Sequence, residues 1–483
     1  MTASQEPIRV VPFIGGQWRG SGAEFAITDP AAPRRTVATV MRSTPEDVAL
    51  AYEAARAAAP AWAKTPVHAR SRILYIAADL LDARAERIAT RLVLEEGKLL
   101  RDALGEVRRA AETLRYHAGL AQTPIGSVYP PENSGLSISR MHPVGIVGVI
   151  TPFNYPILTP AWKIAPALAL GNTVVWKCSE LTPVTASEFA SSFADAGVPP
   201  GVLNLVIGAG DIGEALVNGP LDALTFTGST SVGDQLRVAA AARAVRVQLE
   251  LGGKNHAIVF DDADPAFAAE RIAYGAMSAA GQKCTAIEVA VIQNGIYDEV
   301  RKHLVEQVER LRTGHGLDPE TSLPPLVSAT AAERVCAEIS GVQSRGATVL
   351  TGGARRYDEG HFVAPTVVEN VAPGDEFLRS EVFGPVIALV RCDDDADAIA
   401  LVNGGMLGLN AGVFARDTGR ALAACDALQV GMVHLNDVTG FPPHIPFGGS
   451  KASAFGPLEQ GDTVREFFTE TRMLHLHRHP GAA

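Results

Sequence analysis

The chain has 483 residues, 47% hydrophobic and 20% charged, with 46 Gly, 31 Pro and a net charge of −11. This excludes a disordered chain, a collagen-like repeat and a disulfide-stapled mini-protein, and gives nucleic acid no electrostatic reason to bind. Five cysteines without a CxxC pair, no apolar run of about 18 residues and no apolar leader in Met1–Gly16 lead to the expectation of a soluble, cytoplasmic protein of two to four domains.

After a strand-like opening at 8–18, the first 120 residues read as helical. Thr44-Pro45-Glu46-Asp47 is a helix start: a capping hydroxyl, Pro in the first turn, then acids at the positive end of the helix dipole. Helical patterns follow over 47–64, 68–97 and 101–118. The Gly, Pro and Ser of 122–142 interrupt them and read as an excursion from the core. From Val144 onward the pattern changes. Short apolar strands at 145–150, 173–176, 203–207, 223–226 and 245–249 alternate with helices at 160–170, 182–196, 212–217 and 232–242. A second series begins near Asn255: strands at 257–259, 289–292, 348–350, 386–390, 412–414 and 433–435, with helices at 265–280, 297–312 and 396–402. Alternation of this kind predicts βαβ units and parallel, doubly wound sheets, divided near Gly252-Gly253. The tail at 466–479 alternates like a strand and is expected to pair with the early excursion.

Three local patterns attract chemistry. Gly208-Ala209-Gly210-Asp211-Ile212-Gly213 matches GxGxxG after a strand, where glycines let backbone amides approach a pyrophosphate. A Gly-rich turn between strand and helix accounts for it better, since no clear strand-end acid follows about 20 residues on. Cys284, in Gly281-Gln282-Lys283-Cys284, lies in a polar turn without a local histidine, and its thiol needs a raised thiolate fraction to react. Glu250 ends an apolar strand before a Gly pair, where burial would raise its pKa and suit it to proton transfer. Taken singly, Cys284 and Glu250 also fit inert structural roles. His475, His477 and His479 alternate as in a strand but read as a solvated tail, and Asp393-Asp394-Asp395 as a turn or helix cap. No metal is expected.

Read together, the segments are more specific. Thr151-Pro152-Phe153-Asn154-Tyr155-Pro156, Phe226-Thr227-Gly228-Ser229-Thr230, Glu250-Leu251-Gly252-Gly253-Lys254, Gly281-Gln282-Lys283-Cys284, Glu381-Val382-Phe383-Gly384-Pro385 and Pro446-Phe447-Gly448-Gly449-Ser450-Lys451 occur in the order found in the aldehyde dehydrogenase superfamily. The chain resembles that family from about Phe13 to about Arg472. The resemblance implies an α/β fold with two doubly wound domains, a Rossmann-like cofactor domain (1–121 with 144–252) and a catalytic domain (253–435). It also implies a small β-arm for oligomerisation (122–143 with 465–483) and a return segment (436–464) lining the active site.

It further implies roles for individual residues. Cys284 would attack the aldehyde, Asn154 would donate to the developing oxyanion, and Glu250 would activate the water that hydrolyses the thioester. Lys177 and Glu180 resemble the pair that meets the adenine ribose, and that acid favours NAD over NADP. Gly228 and Ser229 resemble the pyrophosphate contact, and Glu381 with Phe383 the nicotinamide side, while Gly208 and Gly213 fall near the adenine end. Phe153, Tyr155, Trp162, Phe441 and Phe447 are expected to line the substrate pocket. Lys283 is expected to be solvent-exposed or to position the backbone, with thiolate support or attraction of an acidic substrate as the alternatives.

The wording of 160–168 and 455–461 is similar to that of 2-oxoglutarate-semialdehyde dehydrogenases, which implies a small acidic semialdehyde. The aromatic residues suit an aryl or longer aliphatic aldehyde equally well. An acylating, CoA-dependent dehydrogenase, a non-catalytic scaffold and a thiol esterase are the remaining alternatives. The expected partners are the aldehyde and further copies of the chain, as a homodimer or homotetramer, with no membrane.

Overall fold

The computed structural model describes residues 6–130 and 135–477. Two sheets dominate it. The first has eight strands, five of them parallel, with Ile146–Ile150 at the centre. On one side of this strand follow Thr173–Cys178 and Leu203–Ile207, and on the other Ala223–Thr227 and Arg246–Glu250. The direction of winding therefore reverses between Ile146–Ile150 and Ala223–Thr227, the place where α/β sheets open a crevice at the carboxyl ends of their strands. These strands are apolar on both faces and almost wholly buried, because helices cover both sides.

The second sheet has seven strands, with Asn255–Val259 and Ile287–Gln293 near its centre and only Thr348–Thr351 antiparallel to its neighbour. A third sheet joins the tail strand Thr469–His477 to Gly135–Pro143 in unbroken antiparallel register, from Thr469 opposite Pro143 to His477 opposite Gly135. The excursion and the tail thus pair as expected. The strand begins only at Thr469, because 464–468 is a helical turn. His475 Nδ1 lies 3.0 Å from Ser137 Oγ, and His479 lies outside the described residues.

Local signals were legible where side chain and backbone answer each other. Thr44 Oγ1 accepts the Asp47 N–H at 3.3 Å and Asp47 accepts the Thr44 N–H at 3.0 Å, a reciprocal capping box that starts Pro45–Lys64. Asp394 likewise caps Asp395–Asn403.

Elsewhere the structure corrects the reading. A strand pair, Glu24–Asp29 with Ala32–Met41, precedes the first helix; it is half exposed, so no continuous apolar run announced it. The pattern over 68–97 is two helices, Val67–Ala83 and Ala85–Glu96, broken at Arg84 without a Gly or Pro. Ala329–Ser344, Thr366–Glu369 and Thr418–Ala427 are further elements that periodicity did not reveal. Among the described residues, no helix is long and apolar enough to cross a membrane.

Candidate active site

At the carboxyl ends of the first sheet lies a cleft of ≈ 640 Å³, walled by Lys177, Glu180, Gly213, Gly228 and Ser229 among others. It shares Pro152, Phe153, Thr227, Gly228 and Ser229 with a deeper cavity of ≈ 410 Å³. Asn154, Glu250, Cys284, Glu381 and Phe383 all stand on the walls of that cavity. Asn154, Glu250, Cys284, Glu381 and Phe383, from distant parts of the chain, thus share one cavity that adjoins the cleft.

The turn that leads to Cys284 is unusual in its backbone. Helix Pro265–Met277 gives way to Ala279 and Ala280 at φ 54° and 53°, followed by Gly281 at φ 71°. Left-handed backbone costs an L-residue about 1–2 kcal/mol, so the surroundings must hold it. At Gly281 a Cβ would lie 2.0 Å from the Gly384 carbonyl oxygen, so only glycine lets the two turns meet. Gln282, buried, accepts the Val327 N–H through Oε1 at 3.0 Å. Asn255 donates to the carbonyls of Cys284 and Ala286 at 2.7 and 2.8 Å, fixing the backbone on either side of Thr285.

Burial pushes the Cys284 thiol up to about 12, reinforced by the carboxylates of Glu381, Glu250 and Glu459 and opposed by Lys283. This environment favours the thiol over the thiolate. Lys283 is not solvated, contrary to one of the expectations. It is 5% exposed, its Nζ lies 2.5 Å from Ser278 Oγ, and desolvation lowers its ammonium to about 8.

Asn154 is buried, and its side-chain amide donates to the Gln282 carbonyl at 2.9 Å. Its own carbonyl accepts Lys98 Nζ at 2.7 Å, and Lys98 pairs with Glu106 at 2.6 Å. Glu106 Oε1 in turn accepts the Ile157 and Leu158 amides at 3.0 and 3.2 Å, satisfying the start of Leu158–Ala169. Lys98 and Glu106 were not found from sequence; nothing near them in the chain marks them as partners of Asn154.

Glu250 is 3% exposed, and its carboxyl is held well above the usual range, by burial first and by neighbouring Glu459 second, against Lys163 and the Gly449 N–H. Lys163, wholly buried, bonds to Glu459 and donates to Thr225 Oγ1 at 2.8 Å. Among the described residues Glu250 Oε2 and Glu459 Oε2 have no hydrogen-bond partner. Lys163 and Glu459 also escaped the sequence reading, although both lie in segments it quoted.

Four aromatic rings form one wall: Trp162 to Phe447 at 4.8 Å, Trp162 to Phe441 at 5.8 Å and Tyr155 to Phe441 at 6.0 Å between centroids. Phe153 stands apart from them, edge-on to Phe383 at 6.0 Å.

On the cleft side, Lys177 Nζ lies 3.4 Å from Glu180 Oε2. Ser229, on the cleft wall, precedes helix Thr230–Ala241 without capping it by its side chain, so the first-turn amides lack a side-chain acceptor. Gly208 does not lie on this wall: a Cβ there would meet Ile212 Cγ1 at 2.4 Å, so it serves the packing of its own turn. Glu381 accepts the Gly253 N–H at 3.4 Å, and burial with Glu288 beside it raises its carboxyl to about 8. Phe383 takes φ 51°. A cleft that carries Lys177, Glu180 and the start of a helix, and joins a cavity lined by Glu381 and Phe383, suits a dinucleotide.

The described residues contain no group of three or more His, Cys, Asp or Glu suited to a metal ion. The model of the "Aldehyde dehydrogenase family" matches residues 18–474. The alpha-ketoglutaric semialdehyde dehydrogenase of Bacillus subtilis is 38% identical, over 99% of this chain and 100% of that protein. The alpha-ketoglutarate semialdehyde dehydrogenase of Haloferax volcanii is 39% identical, over 96% and 98%. Among solved structures, betaine aldehyde dehydrogenase of Staphylococcus aureus in complex with NAD+ superposes with a TM-score of 0.95 at 31% identity, covering 98% of this chain and 95% of that one. Matched over nearly its whole length by that family's model and by relatives of 38–39% identity, the chain belongs to the aldehyde dehydrogenase family and is an NAD(P)-dependent enzyme.

Proposed function

We propose that the chain oxidises an aldehyde to the carboxylic acid by covalent catalysis at Cys284. The observation that carries this reading is the meeting of Asn154, Glu250 and Cys284 on one cavity that opens into the cleft. Cys284 Sγ, once ionised, adds to the aldehyde carbon and forms a tetrahedral thiohemiacetal. The Asn154 amide and the Cys284 backbone N–H stabilise its oxyanion. The nicotinamide cofactor, when bound, supplies the hydride acceptor that turns this adduct into a thioester. Glu250 then takes a proton from water, and the hydroxide attacks the acyl carbon and expels the Cys284 thiolate. Glu459 and Lys163 tune that base through space, Glu459 raising the Glu250 carboxyl and Lys163 lowering it.

Lys177, Glu180, Gly213, Gly228, Ser229, Glu381 and Phe383 are read as the cofactor contacts. A carboxylate at Glu180 repels a 2′-phosphate, which supports NAD over NADP. The substrate is read as a small acidic semialdehyde on the strength of the two relatives named above. The wall of Tyr155, Trp162, Phe441 and Phe447 favours a second reading, an aromatic or longer aliphatic aldehyde. Glu250 argues against a CoA-dependent, acylating reaction, which has no use for a base on water.

The chain is read as a cofactor domain (1–121 with 144–252) and a catalytic domain (253–435), a reading the two large sheets support. Leu136, Leu474 and Leu476, exposed on the arm, support its use in a homodimer or homotetramer. All five cysteines are unpaired, in keeping with a reducing cytoplasm.

A panel of acidic, aromatic and linear aliphatic aldehydes, read by nicotinamide absorbance with NAD and NADP separately, tests the reading. Turnover should occur with NAD, and Cys284→Ala should abolish it while cofactor binding persists. Turnover that survives Cys284→Ala would overturn it.

A further inference from the structure

Glu288 sits on the apolar strand Ile287–Gln293, four residues beyond the nucleophile, and is 3% exposed. Its carboxylate is spent on a different segment. The Val382 N–H donates to Oε1 and Oε2 at 3.0 and 2.9 Å, and the Phe383 N–H donates to Oε1 at 2.8 Å. Lys254 Nζ, 5% exposed, donates to Oε2 at 2.6 Å.

This places a buried ion pair beneath the turn that carries Glu381 and Phe383. The turn needs the support, since Phe383 has φ 51°, a conformation that residues with a Cβ rarely adopt. From the other side Arg334 donates to the Val382 and Phe383 carbonyls at 2.6 and 3.4 Å. Amides and carbonyls of the same two residues are thus clamped by opposite charges. Lys254 also lies between Gly253, whose N–H bonds to Glu381, and Asn255, whose amide holds the Cys284 carbonyl. The turn at Phe383 and the turn at Cys284 are tied to one buried point.

We infer that Glu288 is a positioning residue for hydride transfer: it holds Glu381 and the Phe383 ring against the nicotinamide end of the cofactor, in register with Cys284. The inference rests on the reading of Glu381 and Phe383 as nicotinamide-side contacts. It predicts that losing Glu288 harms cofactor-dependent chemistry and spares chemistry that uses Cys284 without cofactor.

The test compares Glu288→Ala, Glu288→Gln and Glu381→Gln in the full chain. Its readouts are KM for NAD, the rate of the NADH burst, and cofactor-free hydrolysis of p-nitrophenyl acetate. Glu288→Ala should raise KM for NAD or slow the burst by about tenfold or more, as expected for a misplaced reactant, with ester hydrolysis almost unchanged. Glu288→Gln, which keeps one acceptor oxygen, should recover part of the loss.

An unchanged burst and KM in Glu288→Ala overturns the inference, and so does an equal fall in ester hydrolysis and NADH formation. If Glu288→Ala fails to fold, Glu288→Gln decides alone, by whether the burst slows more than ester hydrolysis. If Glu381→Gln is impaired and the Glu288 variants are not, only the role of Glu288 fails. If Glu381→Gln changes neither KM for NAD nor the burst, the underlying reading of Glu381 fails.

Discussion

Replacing Glu250 by Gln keeps the size of the side chain and removes its ability to take a proton. The structure separates the consequences of that change. Glu250 is buried beside Glu459, and its charge raises the thiol of Cys284. Removing the charge leaves the thiolate easier to form, so attack on the aldehyde and the first NADH are not slowed. The water step loses its base, worth 10²–10⁴-fold in typical cases, or about 2.7–5.4 kcal/mol of barrier.

Rapid mixing of Glu250→Gln with NAD and aldehyde should give a burst of one NADH per active site. The steady rate afterwards should be lower by about a hundredfold or more. Because the base works only when deprotonated and its carboxyl is held above the usual range, the steady rate of the parent should rise with pH beyond that range. The variant should lack this limb. A steady rate close to the parent's, or a missing burst, would refute the assignment of Glu250 to the water step.

Gly281→Ala asks a Cβ to sit 2.0 Å from the Gly384 carbonyl oxygen at φ 71°. The two turns must part, and kcat/KM should fall by about a hundredfold; activity near the parent's would show that the contact is dispensable. Lys98→Met leaves Glu106 buried without its partner, at a cost of about 3–5 kcal/mol. Its melting temperature should drop clearly, and an unchanged value would count against the pair as a support of the Asn154 loop. Glu95, buried against the Val184 and Thr185 amides, is raised by burial from 4.5 to about 8. A carboxyl raised on folding contributes stability that is complete below its unfolded value and is lost as pH climbs through the folded one. The melting temperature should therefore decline between those values, and less steeply in Glu95→Gln; equal slopes would remove Glu95 as the cause.

Much of the candidate site could be traced along the chain because it is built from short, rigid pieces. Thr44 to Asp47 is a complete hydrogen-bonding unit within four residues. Cys284, Glu250, Asn154 and Glu381 each stand in a motif whose glycines or prolines shape the local turn, and six such motifs in order identify the family.

Other parts depend on residues far apart in the chain. Lys98 meets Asn154 across 56 positions, and Asn255 meets Cys284 across 29. Glu288 meets Val382 across 94. No spacing rule joins such pairs. The left-handed Ala279 and Ala280 carry no mark either, because alanine ordinarily prefers the right-handed helix that precedes them. Conversely, Gly208 satisfied a local pattern, and its contact in the fold is with Ile212.

The alternation of apolar strands and helices, hence the parallel sheets, and the kinds of reactive side chain available can be read along the chain. Both are properties of period and residue type, which a linear chain displays. Only the fold shows which of those side chains share a cavity, that Lys283 is buried rather than solvated, and that burial and nearby carboxylates push the Cys284 thiol up. Desolvation and Coulomb interaction act through space, and the groups that supply them arrive from distant segments only when the chain has folded.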